Sequence, residues 1–198
     1  LNILFSIPVW YALMGAAVWI VLGCSRLFTT SLLYLYVLGH ELTHVLAVYC
    51  SRGSVSKFNA SLDGGYIQTN KNNLFISLSP YFLPLWGMLW GLVWGIVHIF
   101  WPTITCEALL YSGLGFWWCF HLFWTAWIIP KDQPDLAGNG TFFSLILVYF
   151  ANLLLFLGLL RLFNAVSINK FLADCLHNAE RLWDTARDLA LFTVGLFL

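Results

Sequence analysis

The sequence predicts an all-α membrane protein: a polytopic bundle of about five transmembrane helices, with a small surface β-hairpin and a C-terminal amphipathic helix. Hydrophobic residues make up 61% of the 198 and charged residues only 9%, whereas a soluble domain carries roughly 25% charged residues. The mean hydropathy of +0.82 makes lipid rather than water the expected solvent. The apolar residues also fall in continuous runs close to the ~20 residues a crossing requires. Only helices and closed barrels satisfy their backbone in lipid, and these runs do not alternate as barrel strands do, so helices are expected.

Five runs qualify as spans: residues 3–22, 32–50, 74–101, 109–129 and 142–163. Residues 1–163 are therefore read as a transmembrane core and 164–198 as a separate C-terminal segment. Between the second and third runs, residues 54–69 hold two short alternating stretches around Asp63-Gly64-Gly65, the pattern of a β-hairpin with an Asp-Gly turn. The stretch 130–140, with Pro130, Pro134 and four acidic or amide side chains, reads as a short polar loop unable to continue a helix. In the third run Gly87, Gly91 and Gly95 form overlapping G-x-x-x-G units beside Trp86, Trp90 and Trp94, which predicts close packing within the bundle or a homodimer seam. Pro80 and Pro84 predict a kink at its entry, with freed backbone groups in need of partners. From 168 to 189, apolar residues recur at steps of three and four with charges between them, the mark of an amphipathic helix in the membrane interface.

The formal net charge is zero, so no basic field exists to attract a phosphate backbone and nucleic acid is excluded as a partner. The lipid bilayer is the partner the composition implies. Five cysteines stand singly, without a C-x-x-C pair, so neither a thiolate metal site nor a redox pair is indicated.

Chemistry concentrates in the second run, at His40-Glu41-Leu42-Thr43-His44. In a helix, residues four apart share a face, so the two imidazoles can converge on one Zn²⁺ at ~2.0–2.1 Å. Glu41 beside them is placed to take a proton from an attacking water and return it to a leaving amine. Each charged group at the centre of a span costs at least ~2.5 kcal/mol, so ionisable residues there are functional by default. A catalytic zinc takes three protein ligands as a rule. The polar residues left to supply the third are Asp63, His98, His121, Asp132 and Asp135.

An H-E-x-x-H on a transmembrane helix, then a surface hairpin, then two spans closing on a Pro-Asp loop, resembles the site-2 protease family of intramembrane zinc metalloproteases, in its minimal form without a PDZ insert. The order matches over about residues 32–163. In that family an Asp after the second span beyond H-E-x-x-H is the third ligand. The resemblance implies Asp135, in Gln133-Pro134-Asp135-Leu136, as that ligand, with Asp132 its nearest rival; Leu62-Asp63-Gly64 reads as turn chemistry. Trp127 stands where the family carries an Asn, leaving Thr125, Gln133 and Asn139 as nearby donors. The implied protein is an intramembrane zinc metalloendopeptidase that cuts peptide bonds in or near transmembrane segments, with zinc on His40, His44 and Asp135 and Glu41 as catalytic residue. It is multi-pass, with the site nearer the cytoplasmic face. The sequons Asn59-Ala-Ser and Asn139-Gly-Thr lie on that same side, where a glycan would reverse the orientation. The competing reading is a non-enzymatic transporter or ion- or metal-handling protein using the same His/Glu/Asp cluster. No inverted repeat supports it.

Overall fold

A computed structural model describes residues 6–25, 28–103, 106–131, 133–164 and 167–195, with side chains to residue 188. Helix α1 (Ile7–Cys24) starts with Pro8 in its first turn, where the missing N–H is no loss. It is followed by α2 (Thr29–Cys50) and an antiparallel pair, β1 (Val55–Ser61) and β2 (Gly64–Thr69). Then come α3 (Leu74–Leu78), a 3-10 turn (Ser79–Tyr81), α4 (Leu85–Phe100), α5 (Glu107–Ile128), α6 (Pro134–Ala137), α7 (Thr141–Leu162) and α8 (Ile168–Gly195).

Three of these helices, α1, α2 and α7, are long and apolar enough to cross a membrane, which is compatible with an integral membrane protein. The expected third run is broken: Leu74–Tyr81 and Leu85–Phe100 meet at 79° and together make at most one further span. Helix α5 has the length, but Trp117, Trp118, His121, Trp124 and Trp127 dilute its apolar character. Large apolar side chains on α1 and α7, among them Trp10, Met14, Val21, Phe142, Tyr149 and Leu154, are exposed, as lipid-facing surfaces require.

The bend follows from backbone chemistry. Pro84 has no N–H for the preceding turn, and the Leu85 N–H donates to the Leu83 carbonyl (2.9 Å) instead of reaching back to Tyr81. The Tyr81 carbonyl so released accepts from the Asn152 side-chain nitrogen of α7 at 2.9 Å. A side chain thus supplies the partner that the broken helix withholds.

Small residues set the closest helix crossing. A Cβ on Gly115 would lie 2.6 Å from the Ala12 carbonyl carbon, and one on Gly15 would lie 2.7 Å from that of Ser112, so α1 and α5 meet backbone to backbone. In α4, the bulky ridge makes the contacts and most of the bare one does not. Trp86 Nε1 donates to the Leu35 carbonyl (3.1 Å) and Trp90 Nε1 to that of Leu110 (3.2 Å), whereas Gly91 and Gly95 have nothing within 4 Å among the described residues.

The hairpin forms as expected, with one shift at its tip. Ser61 pairs with Gly64, so the turn is Leu62-Asp63 and both glycines belong to β2. Gly64 adopts φ 128°, a conformation glycine takes at little cost. Val55 and Ile67 pack the hairpin against Ala47, Val48 and Ile76. The polar loop at 130–140 differs from expectation in containing α6: Pro134 opens it as an N-terminal proline can, and Ser144 Oγ donates to the Leu136 carbonyl (3.0 Å). Beyond residue 167 a single 28-residue helix runs to Gly195, past the 168–189 expected from the sequence; its Leu172, Leu176, Leu182 and Trp183 are exposed.

Candidate metal centre

Helix α2 carries His40 and His44 one turn apart, their ring centroids 5.0 Å from each other. The third member arrives from 91 residues further on: Asp135 Oδ2 lies 3.2 Å from His44 Nε2 and 3.7 Å from His40 Nε2. One ligand atom from each of the three falls within 4.8 Å of the others. Ligands bonded at ~2.0–2.1 Å around a tetrahedral ion sit roughly 3.3 Å apart, so the observed separations suit a shared cation.

The donor set makes the same point chemically. His44 Nδ1 lies 2.8 Å from the Ile76 carbonyl, and a carbonyl accepts only, so Nδ1 is the donor there and Nε2 is the nitrogen left for Asp135, 3.2 Å away. A proton on Nε2 serves that pair, and a cation in its place would take in His40 as well. The hydrogen bond to Ile76 is the kind that holds a ligating imidazole in one tautomer.

Asp135 is delivered by its neighbours. Leu136, 1% exposed, is sunk in an apolar cluster with Leu78, Tyr81 and Val148, which fixes α6 against the bend. Burial alone would raise the Asp135 carboxyl, but hydrogen bonds from His40 and His44 outweigh it and hold the group below the usual carboxylate range. Tyr81 is fully buried, its ring edge-on to His40 at 5.2 Å. Its hydroxyl lies 3.3 Å from Asp135 Oδ2 and 3.3 Å from Gln133 Oε1. Tyr36 Oη is 3.4 Å from His40 Nδ1.

Two clefts meet at Glu41. One, of about 360 Å³, runs between α2, the hairpin turn and the end of α5, past Tyr36, Asp63, Trp127 and Lys131. The other, of about 300 Å³, is walled by β2 on one side and by Ser77 and Pro134 on the other. His40, Glu41, Gly65 and Gln133 border both, so the second approach to the histidines passes under the start of β2.

Of the residues proposed from sequence, His40, His44 and Asp135 come together, with Glu41 beside them. Asp63 is an exposed turn residue at the mouth of a cleft, and His98 is exposed in the last turn of α4. His121 is buried and shares a small cavity with His40 and Pro80, outside the converging trio. Asp132 lies outside the described residues. Among the donors, Gln133 borders the clefts, Thr125 is buried and Asn139 exposed. Sequence reasoning missed Tyr81 and Asn152. A signal existed for Asn152, the lone side-chain amide of 142–163, since a polar group amid apolar helix demands a partner.

Comparison of the chain with protein-family models, with characterised proteins and with solved structures finds no match.

Proposed function

We propose that this protein is an intramembrane zinc metalloprotease of the site-2 protease kind, hydrolysing peptide bonds in or near the transmembrane segments of membrane-protein substrates. The observation that carries the reading is the convergence of His40, His44 and Asp135 within 4.8 Å, beside Glu41 of α2, which borders two open clefts. The donor chemistry, two imidazoles and one carboxylate, suits zinc. Bound there, zinc supplies Lewis acidity and water with a pKa lowered to ~7.

The chain's own groups do the rest. Glu41 accepts the proton of the water whose oxygen adds to the scissile carbonyl carbon. It then passes that proton to the amide nitrogen as the C–N bond breaks. His40, His44 and Asp135 would hold the metal, with the Ile76 carbonyl and Tyr36 orienting the two imidazoles. A helical substrate hides its carbonyls, so it must unwind before cleavage, and the outer edge of β2 offers extended pairing along the 300 Å³ cleft.

In this reading the chain crosses the membrane about five times, through α1, α2, the bent α3–α4 unit, α5 and α7. Helix α8 lies along the interface with its apolar face inward. The site is nearer the cytoplasmic side.

The test is purification of wild type and Glu41→Gln, with zinc content and cleavage of a panel of single-span substrates measured for both. The proposal requires about one zinc per chain in each and cleavage by wild type alone. Ion flux without proteolysis would favour the transporter reading, and cleavage by Glu41→Gln would defeat the assigned role of Glu41.

A further inference from the structure

The Tyr81 hydroxyl stands at 3.3 Å from both Asp135 Oδ2 and Gln133 Oε1. A hydroxyl carries one proton, and the carboxylate is the stronger acceptor, so the proton belongs to Asp135. The remaining lone pairs of Tyr81 Oη then match an amide N–H. With its nitrogen turned inward, Gln133 completes a directed chain, Gln133 to Tyr81 to Asp135. A carboxylate oxygen has lone pairs for both a hydroxyl and a cation, so this contact leaves the ligand free to bind.

The rest of Tyr81 is held as firmly as its tip. Its ring is completely buried and meets the His40 ring edge-on, the two planes at 89°. Its carbonyl, released by the proline break, accepts from Asn152 of α7 at 2.9 Å. One residue at a 79° bend therefore touches two of the three converging side chains and is tied to the helix behind them.

We propose that Tyr81 is the positioning residue of the metal centre: its hydroxyl holds Asp135 in the rotamer that faces His40 and His44, and its ring limits the swing of His40. The inference rests on the metal-centre reading above and adds a residue to it. Partners of this kind, one bond away from a ligand, change metal affinity by roughly 10- to 100-fold when lost.

The test titrates the full-length protein in detergent with Zn²⁺, and with Co²⁺ for its coordination-sensitive visible spectrum. Wild type, Tyr81→Phe, Gln133→Leu, the double variant and Asp135→Ala are compared. Tyr81→Phe keeps the ring, so metal-free helicity and melting temperature stay near wild type while affinity falls roughly 10- to 100-fold and the Co²⁺ spectrum changes. Gln133→Leu costs roughly threefold, and nothing further in the Tyr81→Phe background, because Gln133 acts through Tyr81. Should Tyr81→Phe fail to fold, Gln133→Leu decides alone: an affinity equal to wild type overturns the proposal. A folded Tyr81→Phe that binds metal within about twofold of wild type overturns it too. Those results leave the centre itself intact if Asp135→Ala has lost metal; if wild type binds none, or Asp135→Ala binds as well as wild type, the metal-centre reading falls and the Tyr81 proposal with it.

Discussion

Gly65 of the hairpin rests directly on the side chain of Glu41: a Cβ placed on Gly65 would stand 2.8 Å from both Cδ and Oε1 of the carboxylate. The start of β2 is thus a wall for the acidic side chain of α2, which does not join the trio. Any side chain at 65 must push that carboxylate aside. Because a displacement of about 1 Å in a catalytic group costs on the order of 100-fold, Gly65→Ala is expected to lower turnover about 10- to 100-fold while metal content stays at the wild-type level. Steady-state cleavage rates and metal analysis on the same preparation check this, and an unchanged rate would mean that Glu41 does not act from this position.

Asp135 and Asp132 separate cleanly by metal affinity. Asp135 stands within contact distance of both imidazoles, so Asp135→Asn, which keeps the shape and loses the charge, should weaken zinc at least 100-fold, above the roughly 10- to 100-fold of an outer partner. Asp132→Ala should change it by less than about twofold. Competition titration with a chromogenic chelator reads both, and a larger loss at Asp132 would transfer the third ligand to it.

Acid should strip the metal through the histidines alone. Hydrogen bonds from His40 and His44 hold the Asp135 carboxyl below its ordinary range against the upward push of burial, so Asp135 stays ionised throughout pH 5–8 and takes up no proton there. Metal binding requires both imidazoles neutral. Affinity is therefore full where both imidazoles are neutral and is lost as pH falls through the range in which they protonate, with two protons bound per ion released. Affinity measured between pH 5 and 8 gives that slope directly; a limiting slope of three would show Asp135 titrating in the same window.

Packing predicts opposite fates for two glycines. Gly115 meets the Ala12 backbone, while Gly95 has nothing within 4 Å among the described residues. Gly115→Ala forces two backbones apart and should cost roughly 1–3 kcal/mol, visible as a fall of several degrees in melting temperature. Gly95→Ala should stay within about 0.5 kcal/mol of wild type. Equal destabilisation by both would mean that the α4 glycine ridge is buried in the working protein.

Local chemistry made the histidine pair, the hairpin and the proline break legible in the sequence, since each is set by spacing or by a missing N–H. His40 and His44 share a face wherever their helix goes, and Pro84 interrupts whatever helix contains it. The third carboxylate rested on the family resemblance that Gln133-Pro134-Asp135-Leu136 carries, because nothing local to residue 135 says that it returns to residue 44. Tyr81 was not legible, and of Asn152 only its need for a partner was. They meet at the site only because the 79° bend turns Tyr81 toward His40 and releases a carbonyl toward α7, and bend angle is a property of the packed chain. The α4 glycines were legible only as a ridge: Gly91 and Gly95 have nothing within 4 Å among the described residues, and inside the bundle the tryptophans beside them carry the contacts.

The central claim is that His40, His44 and Asp135 share one metal ion. X-ray absorption at the zinc edge of the loaded protein tests it most directly. The account predicts one zinc per chain with two imidazoles and oxygen ligands at about 2.0–2.1 Å, and the loss of one imidazole from that shell in His44→Ala. A zinc shell without imidazole, or one that His44→Ala leaves unchanged, would contradict it.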